Sequence, residues 1–257
     1  MSLVSLNIDL PAIATITLSD EANLNAMSEE MAEEFQEAVS TLKGNKSLRA
    51  VILTGAGRAF SAGGHLEMLE KKRTIEPEEN YRLMLDFYDS FLSILSLDVP
   101  LIAAINGAAV GAGLCVACAC DMRIASESAK LGFTFLKLGL HPGMGGTFLL
   151  PRIVGRAVAT ELLLTARIID AQESLRLGLV SQVVARDKLL DCAHAIAQEI
   201  ISCGPHASKQ LLQTMRVDYF ELKKALMNEA RCQSLNYASA EYAEGLASVR
   251  EKRVAKF

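Results

Sequence analysis

The chain of 257 residues lacks tryptophan, and only 5% of its residues are aromatic. It has no run of about eighteen uninterrupted apolar residues, so we expect no membrane-spanning helix. Its N-terminus has no basic segment followed by an apolar one, which argues against a secretion signal. A formal net charge of −4 does not favour nucleic acid as a partner. We therefore expect a cytoplasmic protein that binds neither membranes nor nucleic acid.

Metal-binding patterns are also scarce, although the chain has six cysteines. Cys115, Cys118 and Cys120 lie close together in an Ala/Cys-rich segment, and the other three are scattered. A structural zinc site usually needs a second close pair or nearby histidines, and the sequence has neither beside this segment. The pattern favours small, buried thiols in a tightly packed helix, and we predict no metal site.

Two glycine-rich turns are the most informative features that the sequence does contain, at residues 55–64 and 106–113. Each follows a short apolar run typical of a buried strand, and each precedes a predicted helix. Two strand-to-helix turns of this kind can direct two backbone N–H groups at one point, which is how an enzyme holds an oxyanion. No Asp or Glu occurs in residues 108–119 or 131–159. The sequence therefore predicts an oxyanion site without the acidic groups that often act beside one.

The hydrophobic pattern divides the chain into a mixed part and a helical part. Residues 1–187 combine strand-like runs with helical spacing, and we assign them to one α/β core. Within them, the continuous apolar run at residues 50–54 predicts a strand covered on both faces. Residues 67–80 are mostly charged and are predicted to form a solvated, mobile segment. Residues 188–257 are nearly all helical in pattern, and we expect them to fold over their own core or to pack on neighbouring subunits.

A dinucleotide site is a weaker interpretation of the second turn. Gly111 and Gly113 match the first two glycines of that fingerprint, but Val116 occupies the place of the third. No acidic residue follows about twenty positions on, where one would bind the ribose. We therefore predict no nucleotide cofactor.

Six segments carry a resemblance to a known family. They are residues 58–64, 98–107, 138–147, 25–27, 171–180 and 251–253. In this spacing they resemble the crotonase (enoyl-CoA hydratase/isomerase) superfamily over nearly the whole chain. The resemblance implies an α/β spiral of ββα turns with an all-helical C-terminal trimerisation region. It also implies a homotrimer, which in many relatives pairs into a hexamer.

The resemblance further implies a thioester ligand, of coenzyme A or of an acyl carrier, so coenzyme A enters as part of the substrate and no separate cofactor is expected. It assigns the oxyanion-binding N–H groups to Gly64 and Ala112. Two fixed N–H groups stabilise the negative oxygen of a thioester enolate by roughly a few kcal/mol each in a dry site. Ala112 would also begin a helix, whose positive end adds to the effect. The implied substrate-binding residues are Ala26, Ala62, Gly63, His65, Leu66, Gly111, Cys115, Phe135 and Gly143.

The chain departs from the family pattern where relatives carry acidic catalysts. Cys115 and Phe135 occupy the positions of the two glutamates of the hydratases, and Gly143 occupies a third carboxylate position. Water addition to a double bond needs a base for the water and an acid for the α-carbon. Because neither a thiol nor a phenyl ring replaces that pair, we expect the two-glutamate hydration mechanism to be absent.

Other side chains near the turns leave alternatives open. His141 is a candidate catalytic acid or base, the alternative being a structural bond to a backbone carbonyl. His65 would either contact the ligand or cap the following helix. Cys115, near a helix N-terminus, is a candidate nucleophile without a matching histidine base. Tyr88 is expected to pack in the core with its hydroxyl group satisfied.

Two functions therefore remain open. The first is an enzyme of acyl-CoA or fatty acid metabolism that stabilises a thioester enolate, as a decarboxylase (a lyase) or as an isomerase. Loss of carbon dioxide forms the enolate directly and needs no strong base, and Phe135 supplies apolar surface for the departing carboxylate. The second is a protein that binds CoA thioesters without turning them over.

Overall fold

The computed structural model describes residues 2–10, 12–216 and 218–257, and within these ranges it contains ten strands and eleven helices. The strands are β1 (Val4–Leu10), β2 (Ile13–Leu18), β3 (Ala50–Gly55), β4 (Ala59–Ser61), β5 (Leu101–Ile105), β6 (Ala108–Val110), β7 (Met122–Ser126), β8 (Lys130–Gly132), β9 (Ile168–Asp170) and β10 (Gln182–Val184). The helices are α1 (Glu29–Lys43), α2 (Leu66–Lys71), α3 (Pro77–Leu92), α4 (Ala112–Ala119), α5 (Gly146–Val154), α6 (Arg156–Thr165), α7 (Ala171–Arg176), α8 (Leu189–Ile201), α9 (Pro205–Met215), α10 (Tyr219–Tyr237) and α11 (Ala240–Arg250).

Two sheets form the body of the molecule. The larger has the strand order β1-β2-β3-β5-β7-β10 and is parallel except for the β1–β2 pair. The smaller has the order β4-β6-β8-β9, with only β8 and β9 antiparallel. In the successive pairs β3–β4, β5–β6 and β7–β8, the chain places one strand in the larger sheet and the next in the smaller. This repeated step is the expected spiral of ββα turns, so the predicted fold class is confirmed.

The central strand β3 is covered on both faces, as its continuous apolar run predicted. All six of its residues are buried. Val51 and Leu53 belong to the main hydrophobic core, whereas Ala50 and Ile52 pack on the opposite face with residues of α8. Because successive side chains of a strand point to opposite faces, only a strand that is apolar at every position suits both environments.

The C-terminal helices cover their own core, which is one of the two arrangements expected for residues 188–257. α10 packs along α3 and buries Leu222, Leu226 and Ala230. α11 packs on the 3-10 turn Thr134–Leu138, so closely that a Cβ atom at Gly245 would lie 2.5 Å from the Leu138 carbonyl oxygen. The division of the chain at residue 187 and the oligomeric state remain predictions.

The charged segment at residues 67–80 forms most of α2, a 3-10 turn and the start of α3, and most of its charged side chains are exposed, as predicted. Lys72 is only 2% exposed, and its ammonium group lies 3.0 Å from the carboxylate of Glu29 in the first turn of α1. The amide of Asn80 is buried and donates to the Lys72 carbonyl group at 2.7 Å. Charge content did not predict the burial of Lys72, because its partner Glu29 lies in another element.

Within the described ranges, the three clustered cysteines are buried. Cys115 and Cys118 are buried in α4 and Cys120 directly after it, which confirms the interpretation of packed, small thiols. None of the described helices is long and apolar enough to cross a bilayer. No three histidine, cysteine, aspartate or glutamate side chains among these residues come together as a metal site would require.

A partly buried ion pair ties the end of α9 to the large sheet. The guanidinium group of Arg216 donates to both carboxylate oxygens of Asp121, at 2.9 and 2.7 Å. It also donates to the carbonyl groups of Leu97 and Val99, at 2.6 and 2.7 Å. The Arg216 side chain therefore bonds the Asp121 carboxylate and two backbone carbonyl groups of the segment between α3 and β5.

We expect Arg216→Ala to lower the free energy of unfolding by about 3 kcal/mol, because it leaves a partly buried carboxylate without its cation. Unfolding in urea measures the change. The matched control is Lys209→Ala, which removes an exposed ion pair with Asp98 and should cost less than about 1 kcal/mol. Equal losses in the two variants would show that the Arg216 hydrogen bonds contribute no more to stability than an exposed ion pair does.

Candidate active site

Two buried asparagines hold the first glycine turn in shape. The side-chain amide of Asn25 donates to the carbonyl groups of Ala56 and Ala59, at 2.9 and 2.8 Å. The amide of Asn106 donates to those of Gly57 and Ala59, at 3.0 and 3.1 Å. These bonds pair the carbonyl groups of the β3–β4 turn with protein donors, so the chain enters β4 in one fixed direction.

A glycine with positive φ precedes each predicted oxyanion donor. Gly63 has a φ of +86° before Gly64, and Gly111 has a φ of +53° before Ala112. Glycine adopts this backbone region at little cost, and other residues rarely do. The two turns also touch, because a Cβ atom at Gly63 would lie 2.8 Å from the Val110 carbonyl oxygen and 3.6 Å from the Ala112 nitrogen. The structure thus brings the two glycine motifs together.

The N–H groups of Gly64 and Ala112 are available to a ligand. In the described part of the chain, neither group donates to a protein acceptor. Met27 forms a bridge beside Gly64, but it bonds the Gly63 carbonyl and the His65 N–H groups instead. Ala112 is the first residue of α4, where N–H groups lack intrahelical acceptors and the helix dipole is positive. Both residues line one cavity of about 350 Å³, so both could bind the same oxygen.

The cavity is apolar apart from these donors and a few polar side chains. Its apolar side chains include Leu66, Met68, Leu69, Met84, Phe87, Phe135, Leu138, Leu140, Met144 and Val249. Its polar side chains are Tyr88, Thr134, Lys137, Gln233 and Tyr237. No aspartate or glutamate lines it among the residues that the structure describes. The described lining of the cavity therefore has the donors for an oxyanion but no carboxylate to act as acid or base.

The predicted site residues divide into two groups. Those that line the cavity are Gly64, Ala112, Ala62, Gly63, Leu66, Gly111 and Phe135. Those that do not are Ala26, His65, Cys115, His141 and Gly143. Gly143 lies behind a cavity residue, since a Cβ atom there would be 2.4 Å from the Tyr88 hydroxyl oxygen. His65 precedes α2 without a side-chain capping bond.

His141 and Cys115 lie away from the cavity and lack the environment of a catalyst. His141 lines a separate cavity together with Asn236, and its Nδ1 donates to the Pro142 carbonyl oxygen at 2.7 Å. A bond from His141 to a backbone carbonyl group is the structural alternative to a catalytic role for this residue. The thiol of Cys115 is fully buried, and burial raises its pKa well above the usual value. A nucleophilic thiolate is therefore disfavoured at this position.

One face of α10 builds part of the site, and the sequence analysis missed it. Glu229, Gln233 and Asn236 lie four and three residues apart, so they share a face of the helix. All three bond the turn at residues 141–147. Glu229 accepts two backbone N–H groups of that turn, at 2.7 and 2.8 Å. Gln233 donates to the His141 carbonyl at 2.7 Å, and Asn236 accepts the His141 N–H at 2.8 Å. In the sequence of this helix, polar residues recur at helical spacing next to apolar ones. This pattern could have indicated a partly buried polar face.

Two tyrosines of the cavity lining bond the amide of Gln233, which also lines the cavity. Tyr88 donates to Gln233 Oε1 at 2.8 Å, and Tyr237 donates to the same oxygen at 3.3 Å. Burial raises the pKa of both tyrosines well above the usual value, so both keep their protons. The expectation that Tyr88 is buried with its hydroxyl satisfied is confirmed.

An α/β spiral with two free N–H groups at one apolar cavity defines the crotonase class of proteins. A family model described as enoyl-CoA hydratase/isomerase matches residues 10–257, and the chain belongs to this family. The expected superfamily and the enzymatic character of the family are thereby confirmed.

Individual relatives agree with this assignment. The chain is 34% identical to the short-chain-enoyl-CoA hydratase of Clostridium acetobutylicum, over 94% of this chain and 92% of that one. It is also 34% identical to a Thermus thermophilus protein named as an enoyl-CoA hydratase, over 95% and 97% of the two chains. The crystal structure of an enoyl-CoA hydratase/isomerase from Pseudoalteromonas atlantica matches with a TM-score of 0.86 at 30% identity, over 99% of each chain.

We expect Gly63→Ala to lower the free energy of unfolding by about 3 kcal/mol, because it adds a steric clash with Val110 to an unfavourable φ. Turnover should fall as the two turns separate. The control is Gly178→Ala, which has a similar φ of +75° but no atom within 4 Å of the added carbon. It should cost only about 1 kcal/mol, with activity unchanged. Thermal unfolding and a rate assay distinguish the two, and equal effects would contradict the contact between the turns.

Glu229 is a buried carboxylate at the N-terminus of α5. It accepts hydrogen bonds from the N–H groups of Gly145 and Thr147 and from the Thr147 hydroxyl, the last at 2.5 Å. Burial raises its pKa to about 7, and these hydrogen bonds only partly oppose that rise. In the folded protein, Glu229 therefore keeps its proton at pH values where the unfolded chain has lost it.

This difference predicts a pH dependence of stability. Between pH 4.5 and about 7 the folded state holds a proton on Glu229 that the unfolded state has released. The Glu229 contribution is thus fully present below pH 4.5 and is lost as the pH rises through about 7, by up to roughly 3 kcal/mol. Glu229→Gln removes this titration, so wild type should lose stability relative to the variant across that window. Denaturant unfolding at several pH values measures it, and a constant difference would contradict the raised pKa.

Proposed function

We propose that the protein decarboxylates a malonyl-type acyl thioester, carried by coenzyme A or by an acyl carrier, through an enolate bound by the N–H groups of Gly64 and Ala112. The observation that supports this most is the combination of two free oxyanion donors with a cavity lining that has no carboxylate among its described residues. The names of the relatives support an acyl-CoA thioester as the substrate class, since they refer to enoyl-CoA.

Hydration by two carboxylates is poorly supported by the groups at the two glutamate positions. Cys115 is a buried thiol outside the cavity lining, and its raised pKa keeps it protonated. Phe135 lines the cavity with an aromatic ring, whose Cζ atom would lie 3.9 Å from a Cβ atom at Gly111. Neither residue can remove a proton from water or return one to carbon.

Decarboxylation requires fewer catalytic side chains than hydration does. When the bond between Cα and the carboxylate breaks, its electron pair forms the enolate, and the negative charge collects on the thioester oxygen. Two backbone donors at that oxygen each contribute roughly 3 kcal/mol of transition-state stabilisation in a dry site. The apolar residues around Phe135 remove water from the carboxylate, which favours its departure as neutral carbon dioxide. The α-carbon then takes up one proton.

Purified protein should release carbon dioxide from malonyl-CoA or methylmalonyl-CoA and should hydrate crotonyl-CoA at least about 100-fold more slowly. Phe135→Glu should lower decarboxylation at least about tenfold, because a carboxylate beside the substrate's own carboxylate repels it. Phe135→Leu keeps the apolar surface and is the matched control. Carbon dioxide release and crotonyl-CoA absorbance measure the two reactions.

Other outcomes of the same assay would overturn the proposal. Rapid hydration of crotonyl-CoA would mean that groups other than carboxylates activate water in this cavity. A shift of the double bond in a 3-enoyl-CoA, without release of carbon dioxide, would indicate an isomerase. Binding of all three thioesters without turnover would indicate the non-catalytic alternative.

A further inference from the structure

Decarboxylation also requires a proton for the α-carbon of the enolate, and the proposed function assigns no residue to supply it. The following inference rests on the proposed function. Among the described residues of the cavity lining, proton-bearing side chains are few. Lys137 is exposed at the surface, and the Thr134 hydroxyl group is a much weaker acid than a phenol. Tyr88 and Tyr237 line the cavity, and each is 1% exposed. The choice of donor therefore lies between two tyrosines that share one hydrogen-bond acceptor.

The Tyr88 hydroxyl occupies space beside the positions where relatives carry carboxylates. A Cβ atom at Gly143 would lie 2.4 Å from the hydroxyl oxygen. Tyr88 and Ala112 line the same cavity, and α3, which carries Tyr88, contacts α4. The Tyr88 side chain therefore lies on the cavity that receives the first N–H group of α4, one of the two oxyanion donors.

Gln233 determines how this hydroxyl group points. Its Nε2 donates to the His141 carbonyl oxygen at 2.7 Å, so the amide oxygen must face the tyrosines. Both hydroxyl groups therefore act as donors toward Gln233 Oε1, Tyr88 at 2.8 Å and Tyr237 at 3.3 Å. Tyr237 lies on the same helix as Gln233 and also reaches Met84 Sδ at 3.4 Å. Tyr88, on α3, has the shorter and better-defined bond.

We propose that Tyr88 donates the proton to the α-carbon of the enolate and that Gln233 is the positioning residue for its hydroxyl group. Carbon dioxide leaves first, and the bond to the carboxyl carbon supplies the electron pair of the enolate. That pair then forms the new C–H bond with the Tyr88 proton, while the O–H pair stays on the tyrosine oxygen. Water returns one proton to Tyr88 as the product leaves, so the reaction consumes one proton overall.

The buried environment suits this role. Burial keeps Tyr88 protonated before the reaction, because it raises the pKa of the phenol. The same effect makes the phenolate a strong base that quickly regains a proton from water. An enolate carbon is a stronger base than a phenolate, so the transfer to carbon is downhill.

The test is decarboxylation of methylmalonyl-CoA in deuterium oxide. A donor fixed on one side of the enolate delivers deuterium to one face, so wild type should yield propionyl-CoA of a single configuration at the α-carbon. Tyr88→Phe should lower the rate about 100-fold or more and should give both configurations. Tyr242→Phe removes a buried tyrosine hydroxyl group outside the described cavity lining and is the matched control. It should retain the single configuration with less than about a threefold loss of rate.

Gln233→Leu supplies a second variant that leaves the Tyr88 hydroxyl in place. It should lower the rate about tenfold and partly mix the configurations, which a loss of stability alone would not do. Retention of rate and configuration in Tyr88→Phe would overturn this inference and leave the proposed function standing. Mixed configurations from wild type would do the same. If wild type released no carbon dioxide, both the proposed function and this inference would fall together.

Discussion

The site depends on the close approach of two backbone turns at Gly63. A single added carbon at this residue would lie 2.8 Å from the Val110 carbonyl oxygen, so there is no room for any side chain between the turns. The separation of the Gly64 and Ala112 N–H groups is therefore set by backbone contact and not by side-chain rotamers. Donors held in this way need no reorganisation when charge develops on a bound oxygen.

Around this backbone contact, different elements supply different requirements. The turns and the start of α4 provide positive electrostatic potential, and Asn25 and Asn106 keep the first turn in place. The apolar side chains of the cavity lining exclude water from the two oxyanion donors. α10 provides Gln233 and Tyr237 to the cavity lining, and its side chains bond backbone groups of the turn at residues 141–147. Because the oxyanion donors belong to the backbone, side chains elsewhere in the cavity can change the reaction without disturbing them.

The parts of the site that could be predicted from sequence are those that follow from local backbone geometry. Gly63 and Gly111 mark turns that other residues adopt poorly, and the donors follow them directly in the chain. Gln233 and Tyr237 could not be predicted in the same way, because α10 meets the cavity through tertiary packing more than 100 residues after the second turn. Lys72 was misplaced for a similar reason, since its partner Glu29 lies in another element.

The position of α10 in the chain has a consequence for biosynthesis. A ribosome makes both glycine turns well before it makes α10, so a growing chain can bring its oxyanion donors together before the cavity is closed. Until α10 docks, those donors face water, which competes for them as hydrogen-bond acceptors. The contacts from α10 to the turn at residues 141–147 join segments that are distant in sequence, and such contacts form late because they require closure of a long loop. The cavity around the two donors is thus completed by a helix that the ribosome makes after every strand of the two sheets.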